Sequence, residues 1–186
     1  MKYWVDANTG LARGARFVPS PNCDERPADV TVDVLVIHNI SLPPGEFGGP
    51  YVEQLFCNDL EVGHHAYFRE ICEMRVSAHF FIPRGGGLIQ FVPVHKRAWH
   101  AGESECFGRV NVNDFSIGIE LEGTDDSGFE DAQYATLIET SRGLLRAFPE
   151  LAPDHVFGHS DVAPGRKTDP GPCFDWTRYR RALAEA

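Results

Sequence analysis

Three segments of the chain arrange their hydrophobic residues in patterns that predict regular structure. The block Thr31–Ile40 is rich in β-branched residues, which predicts a buried strand that carries His38 near its carboxyl end. The segment Phe115–Gly123 alternates hydrophobic with polar residues, which predicts a strand with one face towards a site. Across Glu130–Phe148 the hydrophobic residues recur at helical spacing, which predicts an amphipathic helix that ends before Pro149.

Shorter patterns complete the expected order of elements. The runs Val76–Pro83 and Leu88–Val94 flank a glycine-rich turn and predict a β-hairpin. A short helix is expected over Tyr51–Phe56, a short strand over His155–Gly158, and a C-terminal helix from about Asp175. This order predicts the α/β (α+β) class, with a central mixed sheet flanked by helices.

Length and composition favour a single domain over residues 1–186. The chain has 186 residues, of which 42% are hydrophobic, and this is enough to build a sizeable core. Roughly the first 30 residues are irregular in pattern and contain several prolines, so we expect an N-terminal arm that packs on the domain. No segment has the length and apolarity of a signal peptide or a membrane span, which predicts a soluble protein that is not exported.

The cysteines indicate a reducing compartment. They are odd in number and no two form a C-x-x-C pair, which disfavours a disulfide framework or a structural zinc site. We therefore expect free thiols and a cytoplasmic location. The five residues are Cys23, Cys57, Cys72, Cys106 and Cys173.

The net charge limits the possible partners. A formal net charge of −10 disfavours binding to nucleic acid, because phosphate binding depends on lysine and arginine. An acidic substrate would need a local basic patch; otherwise each cation is ordinary solvated surface. We expect a monomer that binds a small substrate and no membrane. The candidate cations are Arg75, Lys96, Arg97, Arg109 and Arg166.

The last loop, Val156–Cys173, concentrates the candidate chemistry. It places an imidazole, an ammonium and a carboxylate, those of His159, Lys167 and Asp169, among glycines and prolines that exclude a continuous helix or a central strand. A metal ion is the simplest agent that would order such a loop, because a few strong bonds replace a packed core.

His38 is the expected third ligand of this metal. Two imidazoles and one carboxylate leave the fourth position of a tetrahedral zinc ion open for water, which is the pattern of catalytic zinc sites. The ion would lower the pKa of that water to about 7, so one Zn²⁺ per chain and a hydrolytic reaction are predicted. Glu120 would serve as the base, and Lys167, on the same side of an extended segment as Asp169, would stabilise an oxyanion.

Each of these assignments has a structural alternative. A histidine at a strand end is commonly held by hydrogen bonds alone, and Asp169 before Pro170 is also a turn-forming pair. Glu120, with Glu122, would then belong to a solvated face of the sheet, and Lys167 would be a surface lysine. Spacing does not rank six other histidines as ligands: His64, His65, His79, His95, His100 and His155.

Five segments together resemble successive motifs of the zinc-dependent N-acetylmuramoyl-L-alanine amidases. The segments are VIHNISLPPGEFGGP, VSAHFFIPRGGGLIQFVP, KRAWHAG, NDFSIGIELEGTD and GHSDVAPGRKTDPGPCFDW. They occur in the order of the family and span the chain from about Gly14 to Trp176. The resemblance is closest to the cytoplasmic branch that acts on 1,6-anhydro-muropeptides in cell-wall recycling, because secreted and phage relatives often have Cys at the position of Asp169.

The resemblance implies a fold, a reaction and a set of residues. The fold is a mixed sheet flanked by helices, shared with peptidoglycan recognition proteins. The reaction is hydrolysis of the amide between anhydro-N-acetylmuramic acid and L-alanine. The implied zinc ligands are His38, His159 and Asp169, with Glu120 as the catalytic glutamate and Lys167 near the oxyanion. The implied substrate-cleft residues are Asn39, Tyr67, Arg75, Trp99 and Arg109, with the arginines suited to peptide carboxylates.

Three other functions are compatible with parts of this pattern to different degrees. A non-catalytic binding module of the same fold would have lost a ligand, whereas this chain keeps the whole set. A wall-lytic amidase of the secreted or phage type fits poorly with the acidic composition and the lack of a signal sequence. A metalloprotease of the H-E-x-x-H type is excluded, because that pentad does not occur in the sequence.

Overall fold

The computed structural model describes residues 3–6 and 8–185, and a six-stranded sheet lies at its centre. The strands are β1 (Trp4–Val5), β2 (Ala12–Arg13), β3 (Arg16–Phe17), β4 (Cys23–Glu25), β5 (Val34–Ile40), β6 (Phe80–Ile82), β7 (Ile89–Gln90), β8 (Lys96–Ala98), β9 (Glu105–Cys106), β10 (Arg109–Val110), β11 (Ser116–Glu122) and β12 (Val156–Gly158). The helices are α1 (Tyr51–Phe56), α2 (Phe68–Ile71), α3 (Asp131–Ala147), α4 (His159–Val162) and α5 (Trp176–Ala184), with a 3₁₀ turn at Val112–Asp114.

The central sheet is mixed, as the sequence pattern predicted. Its order is β12-β5-β11-β6-β7-β3. The first four of these strands are parallel neighbours, β7 runs antiparallel to β6, and β3 runs parallel to β7 at the far edge. The parallel strands therefore direct their carboxyl ends to one edge of the sheet, where open α/β sheets bind ligands.

The two longest strands, β5 and β11, form the centre of the core. They pair in parallel along their whole length, with His38 opposite Glu120. Alternate residues such as Ile37 and Ile119 enter the main hydrophobic cluster, so His38 and Glu120 project from the other face. All residues of β11 are buried, including Glu122, which excludes the alternative of a solvated glutamate face.

Helices α3 and α5 cover the hydrophobic face of the sheet. Leu137 and Leu144 of α3 and Leu183 of α5 belong to the main cluster and are essentially inaccessible to solvent. At the start of α3, the backbone N–H of Glu130 donates to Gln133 Oε1 at 3.0 Å. The amide of Gln133 in turn donates to the carbonyls of Ile82 and Glu122, each at 3.0 Å, which fixes the helix to β6 and β11.

The other predicted elements are present, although the hairpin strands are only Phe80–Ile82 and Ile89–Gln90 where Val76–Pro83 and Leu88–Val94 were predicted. Helix α1 has the predicted bounds, and the predicted hairpin forms between β6 and β7. Helix α5 begins at Trp176 after Asp175, whose carboxylate accepts a hydrogen bond from the N–H of Arg178 at 2.9 Å. The one-turn helices α2 and α4 were not predicted, because a single turn shows no helical periodicity.

The N-terminal arm contains four short strands that the sequence pattern did not predict. β3 extends the central sheet, and β4 pairs with β8. Two candidate cations are used here: Arg97 bonds Asp24 at 2.5 Å, and Lys96 bonds Glu25 at 2.9 Å. These two residues therefore secure the arm and do not form a basic patch for substrate.

Two chain-wide features complete the fold. The five cysteines are all free thiols. Within residues 3–6 and 8–185, no helix combines the length and the apolarity that crossing a bilayer requires.

One buried hydrogen bond between α3 and α5 gives a test of this packing. Tyr179 and Ser141 are both inaccessible to solvent, and their hydroxyl oxygens lie 2.6 Å apart. We expect Tyr179→Phe to lower the free energy of unfolding by about 1–3 kcal/mol, because the Ser141 hydroxyl loses its partner while it remains buried. Adding Ser141→Ala should recover part of this loss in urea unfolding. Strictly additive losses would contradict the pairing.

Candidate metal centre and active-site cleft

Three side chains converge at the carboxyl-end edge of the sheet. The Nδ1 atoms of His38 and His159 are 3.0 Å apart, and each lies 3.1 Å from Oδ2 of Asp169. Among the described residues these three form a group whose possible ligand atoms all lie within 4.8 Å of one another. The structure thus brings together the three residues that the sequence analysis selected as metal ligands.

Each of the three is positioned by a different part of the fold. His38 lies near the end of β5, and His159 follows directly on the neighbouring strand β12 as the first residue of α4. Asp169 belongs to the final loop, whose backbone returns to this edge because the N–H of Ser160 donates to the Asp169 carbonyl at 2.9 Å. The parallel pairing of β5 with β12 therefore places the two histidines side by side.

The hydrogen bonds of the histidine rings test whether this group suits a cation. Nε2 of His159 lies 3.0 Å from the carbonyl oxygen of Ala101, which can only accept, so Nε2 carries the ring proton. The Nδ1 atom of His159 then directs a lone pair towards Asp169 Oδ2, at 3.1 Å. Two lone pairs at this distance repel each other, and a cation between them removes the repulsion. The residues fit a divalent metal ion.

The ionisation states of the ligands agree with this fit. Burial lowers the pKa of His38 to about 4, so its ring is neutral and has a lone pair to offer at pH 7. Two neutral imidazoles and one carboxylate are a ligand set of catalytic zinc sites.

Glu120 presents an unpaired carboxylate beside this group. It is 8% exposed, and its Oε2 has no hydrogen-bond partner within the described part of the chain. Burial, and after it the negative charge of Asp169, raises the pKa of Glu120 well above its ordinary value, while Lys167 opposes the rise. A buried carboxyl group with a raised pKa can accept a proton and later return it.

A cleft of about 650 Å³ opens in front of these residues. This volume is typical of sites that enclose a small organic ligand. Glu120, His159 and Asp169 line its floor, and the exposed cations Arg166 and Lys167 line one side. The cleft therefore presents two cations beside its carboxyl groups, although the whole chain carries a net charge of −10.

Three of the predicted substrate-binding residues line this cleft. They are Asn39, Tyr67 and Trp99. The amide of Asn39 donates to Oδ1 of Asp125 at 2.7 Å, and the indole N–H of Trp99 donates to Oδ1 of Asp24 at 3.2 Å. Both side chains are thus oriented by carboxylates before any substrate is bound.

The two predicted arginines lie in different places. Arg75 is exposed at the rim, between the cleft residues Met74 and Val76, and its guanidinium has only weak contacts with neighbouring carbonyls and with Glu73 at 3.7 Å. Arg109 does not line the cleft. Its guanidinium donates to both oxygens of Asp33, at 2.9 and 2.8 Å, and stacks on Phe115 at 3.9 Å. We therefore assign Arg109 a structural role, in place of the predicted contact with substrate.

The remaining histidines divide into surface, structural and ligand-supporting residues. His64 and His65 are exposed, and the buried His79 accepts a hydrogen bond from the N–H of Gly118 at 3.0 Å. His100 lines the cleft, and its Nδ1 lies 2.9 Å from Nε2 of His38. Burial, followed by the neighbouring imidazoles, lowers the pKa of His100 well below its ordinary value.

Sequence reasoning left His100 as one of six unranked histidines and did not select Asp125. The contact between His100 and a ligand crosses from one loop to a distant strand, so spacing could not reveal it. Asp125 lies in the cleft and orients Asn39, but nothing in its local sequence separates it from an ordinary surface aspartate.

Comparison with known proteins agrees with this geometry. The family model described as Amidase_2: N-acetylmuramoyl-L-alanine amidase matches residues 28–172. The chain is 56% identical over 171 residues to the 1,6-anhydro-N-acetylmuramyl-L-alanine amidase AmpD of Escherichia coli (strain K12), which covers 92% of this chain and 93% of that protein.

Solved structures extend the similarity to the fold. A crystal structure of a selenomethionine derivative of AmpD matches with a TM-score of 0.92 and 51% identity, over 96% of this chain and 98% of that chain. A complex of the amidase AmiD from E. coli with anhydro-N-acetylmuramic acid-L-Ala-D-γ-Glu-L-Lys matches with a TM-score of 0.59 and 29% identity, over 85% of this chain and 60% of that chain. The mixed sheet, the converging ligands and the matched sequence together place this chain in the N-acetylmuramoyl-L-alanine amidase family.

Proposed function

We propose that this protein is a zinc-dependent amidase that hydrolyses the bond between 1,6-anhydro-N-acetylmuramic acid and the L-alanine of a muropeptide. The observation that carries the proposal is the convergence of His38, His159 and Asp169 beside a buried, unpaired Glu120. The similarity to AmpD of E. coli supports the anhydro-sugar substrate, and the free thiols are compatible with recycling in the cytoplasm.

The metal and the protein have separate tasks in this reaction. A zinc ion held by His38, His159 and Asp169 supplies Lewis-acid activation of water and of the scissile carbonyl. The protein supplies a base, an oxyanion partner and a cleft that aligns the amide with the attacking water.

Glu120 is the proposed base. Its free Oε2 accepts a proton from the attacking water as the new C–O bond forms. The same carboxyl group then delivers that proton to the departing amine nitrogen as the C–N bond breaks. The products are the free lactyl carboxylate of the sugar and a stem peptide with a free amino terminus, and the balance of atoms needs nothing beyond water.

Lys167 is the proposed partner of the oxyanion. It follows Arg166 among the residues that line the cleft, and its positive charge opposes the rise in the pKa of Glu120 that burial causes. An ammonium that lines the same cleft can stabilise the negative charge that develops on the carbonyl oxygen during attack.

Substrate recognition depends on local charge. A stem peptide carries carboxylates, and the net charge of the protein repels them at long range. Arg166 in the cleft and Arg75 at its rim supply the opposite charge within a screening length of the site. Asn39, Tyr67 and Trp99 complete the proposed contacts, with Trp99 suited to a sugar face.

The first prediction tests the reaction and its two protein groups. The zinc-loaded protein should release peptide with an amino-terminal L-alanine from a soluble anhydro-muramyl peptide, measured by chromatography. Glu120→Gln and Lys167→Ala should each lower kcat by roughly 100-fold or more, because each removes a group that acts in the transition state. Both variants should retain one zinc per chain. A variant with unchanged kcat would remove that residue from the mechanism, and faster release from intact sacculi would indicate a wall-lytic enzyme.

The second prediction concerns the metal itself. Zinc at 100 times its dissociation constant should raise the free energy of unfolding by about 2.7 kcal/mol, because the ion binds the folded chain alone. His159→Ala should abolish this increase in urea unfolding, whereas His155→Ala, at a histidine remote from the ligands, should preserve it. Equal stabilisation of the two variants would contradict the ligand assignment.

The third prediction separates the two arginines. Arg75→Ala should raise KM for an acidic muropeptide roughly threefold to tenfold with little change in kcat, because an exposed charge pair contributes modestly to binding. Arg109→Ala is the matched control and should leave KM unchanged, since its guanidinium is occupied by Asp33. The reverse pattern in steady-state kinetics would restore Arg109 as a substrate contact.

A further inference from the structure

Two consecutive residues, His100 and Ala101, contact His38 and His159 on the side of each ring that faces away from Asp169. Nε2 of His38 lies 2.9 Å from Nδ1 of His100, and Nε2 of His159 lies 3.0 Å from the carbonyl oxygen of Ala101. In each ligand this is the nitrogen on the far side of the ring from Asp169. The segment His100–Ala101 therefore lies within hydrogen-bonding distance of Nε2 in both histidines.

These contacts determine where the ring protons lie. The Ala101 carbonyl can only accept, so Nε2 of His159 carries the proton and Nδ1 is left free. At His38, a free Nδ1 likewise requires a proton on Nε2, which His100 Nδ1 accepts. His100 then carries its own proton on Nε2, and that atom lies 3.2 Å from Oγ of Ser116. A consistent direction of donation runs from His38 through His100 to Ser116.

Hydrogen bonds with two residues fix the position of this segment, and a glycine leaves room for its imidazole ring. Oδ1 of Asn113 accepts from the backbone N–H groups of His100, at 3.1 Å, and of Ala101, at 2.8 Å. Arg166 donates to the Ala101 carbonyl at 2.5 Å. Gly118 of β11 leaves room for the His100 ring, because a Cβ at that position would come within 2.5 Å of the ring carbon Cγ.

We infer that His100 is a positioning residue for the metal, and that Asn113 acts through the same segment. His100 fixes the tautomer and orientation of His38, the Ala101 carbonyl does the same for His159, and Asn113 holds both acceptors in register. Groups that orient ligand imidazoles in this way commonly contribute 10- to 100-fold to metal affinity. The inference rests on the proposed zinc enzyme and adds to it a requirement for an acceptor at residue 100.

The test compares two substitutions at His100 that differ in one property. In His100→Asn the side-chain oxygen replaces Nδ1 as an acceptor, whereas His100→Leu fills similar space without one. Zinc affinity is measured on the full chain by competition with a chelator, and circular dichroism confirms that each variant is folded. His155→Leu is the control, because this half-buried histidine bonds the Asp33 carbonyl at 2.9 Å and does not contact a ligand.

The expected result is a ranking of zinc dissociation constants. His100→Leu should raise the constant about 10- to 100-fold, while His100→Asn should stay within about threefold of the natural chain and His155→Leu should match it. Wild-type affinity in folded His100→Leu, or equal losses in both His100 variants, would overturn the inference. Absence of zinc binding by the unaltered chain would instead overturn the proposed function.

A spectroscopic measurement on the unaltered, zinc-loaded protein decides the question even if His100→Leu does not fold. In ¹⁵N-labelled protein, the imidazole spectrum should show the proton of His38 on Nε2, with a scalar coupling across the hydrogen bond to Nδ1 of His100. A proton on His100 Nδ1, or His38 metallated through Nε2, would contradict the direction of donation and with it the positioning role.

Discussion

The candidate site depends on the close approach of lone pairs on two imidazole nitrogens and one carboxylate oxygen, whose mutual repulsion a cation would remove. Two imidazole nitrogens and a carboxylate oxygen approach one another to about 3 Å at the end of the sheet. The Ala101 carbonyl keeps a proton off the inner nitrogen of His159, so hydrogen bonding cannot relieve the whole group. A divalent ion placed among these atoms would remove the repulsion and thereby stabilise the folded chain.

The parallel sheet brings the side chains of this site together. β12, β5 and β11 end at the same edge, and their register sets His38 beside Glu120 and pairs Gly158, the residue before His159, with Ile37. His38 and Glu120 thus come from strands whose spacing is fixed by backbone hydrogen bonds, His159 begins the helix that directly follows β12, and Asp169 and Lys167 come from a loop. The hydrophobic residues between them on the same strands face α3 and α5, so the packing of the core also determines the position of the chemistry.

Sequence patterns predicted the larger part of this arrangement. Long elements such as α3 and β5 have clear periodicity or a clear β-branched block, and the motifs that resemble the amidase family pointed to the three side chains that converge in the structure. The short strands of the arm and the turns α2 and α4 were missed, because two to four residues carry no period. Arg109 was predicted to contact substrate, whereas its guanidinium pairs with Asp33 in the structure, and sequence alone does not distinguish a peptide carboxylate from Asp33 as its partner. His100 was one unranked candidate among several until its contact with His38 was visible.

Glu122 determines how the loop that forms the cleft wall could be transferred to another protein. Its two carboxylate oxygens accept from the backbone N–H groups of Gly48, at 2.5 Å, and Arg84, at 2.9 Å. The loop after β5 and the turn of the hairpin are thereby fastened to the strand that carries Glu120, two residues away. A transplant of this loop into another amidase scaffold would lose its shape without a carboxylate at the equivalent position. The loop after β5 and the strand that carries Glu120 should therefore be transferred together, and the junctions of a chimaera should lie outside both.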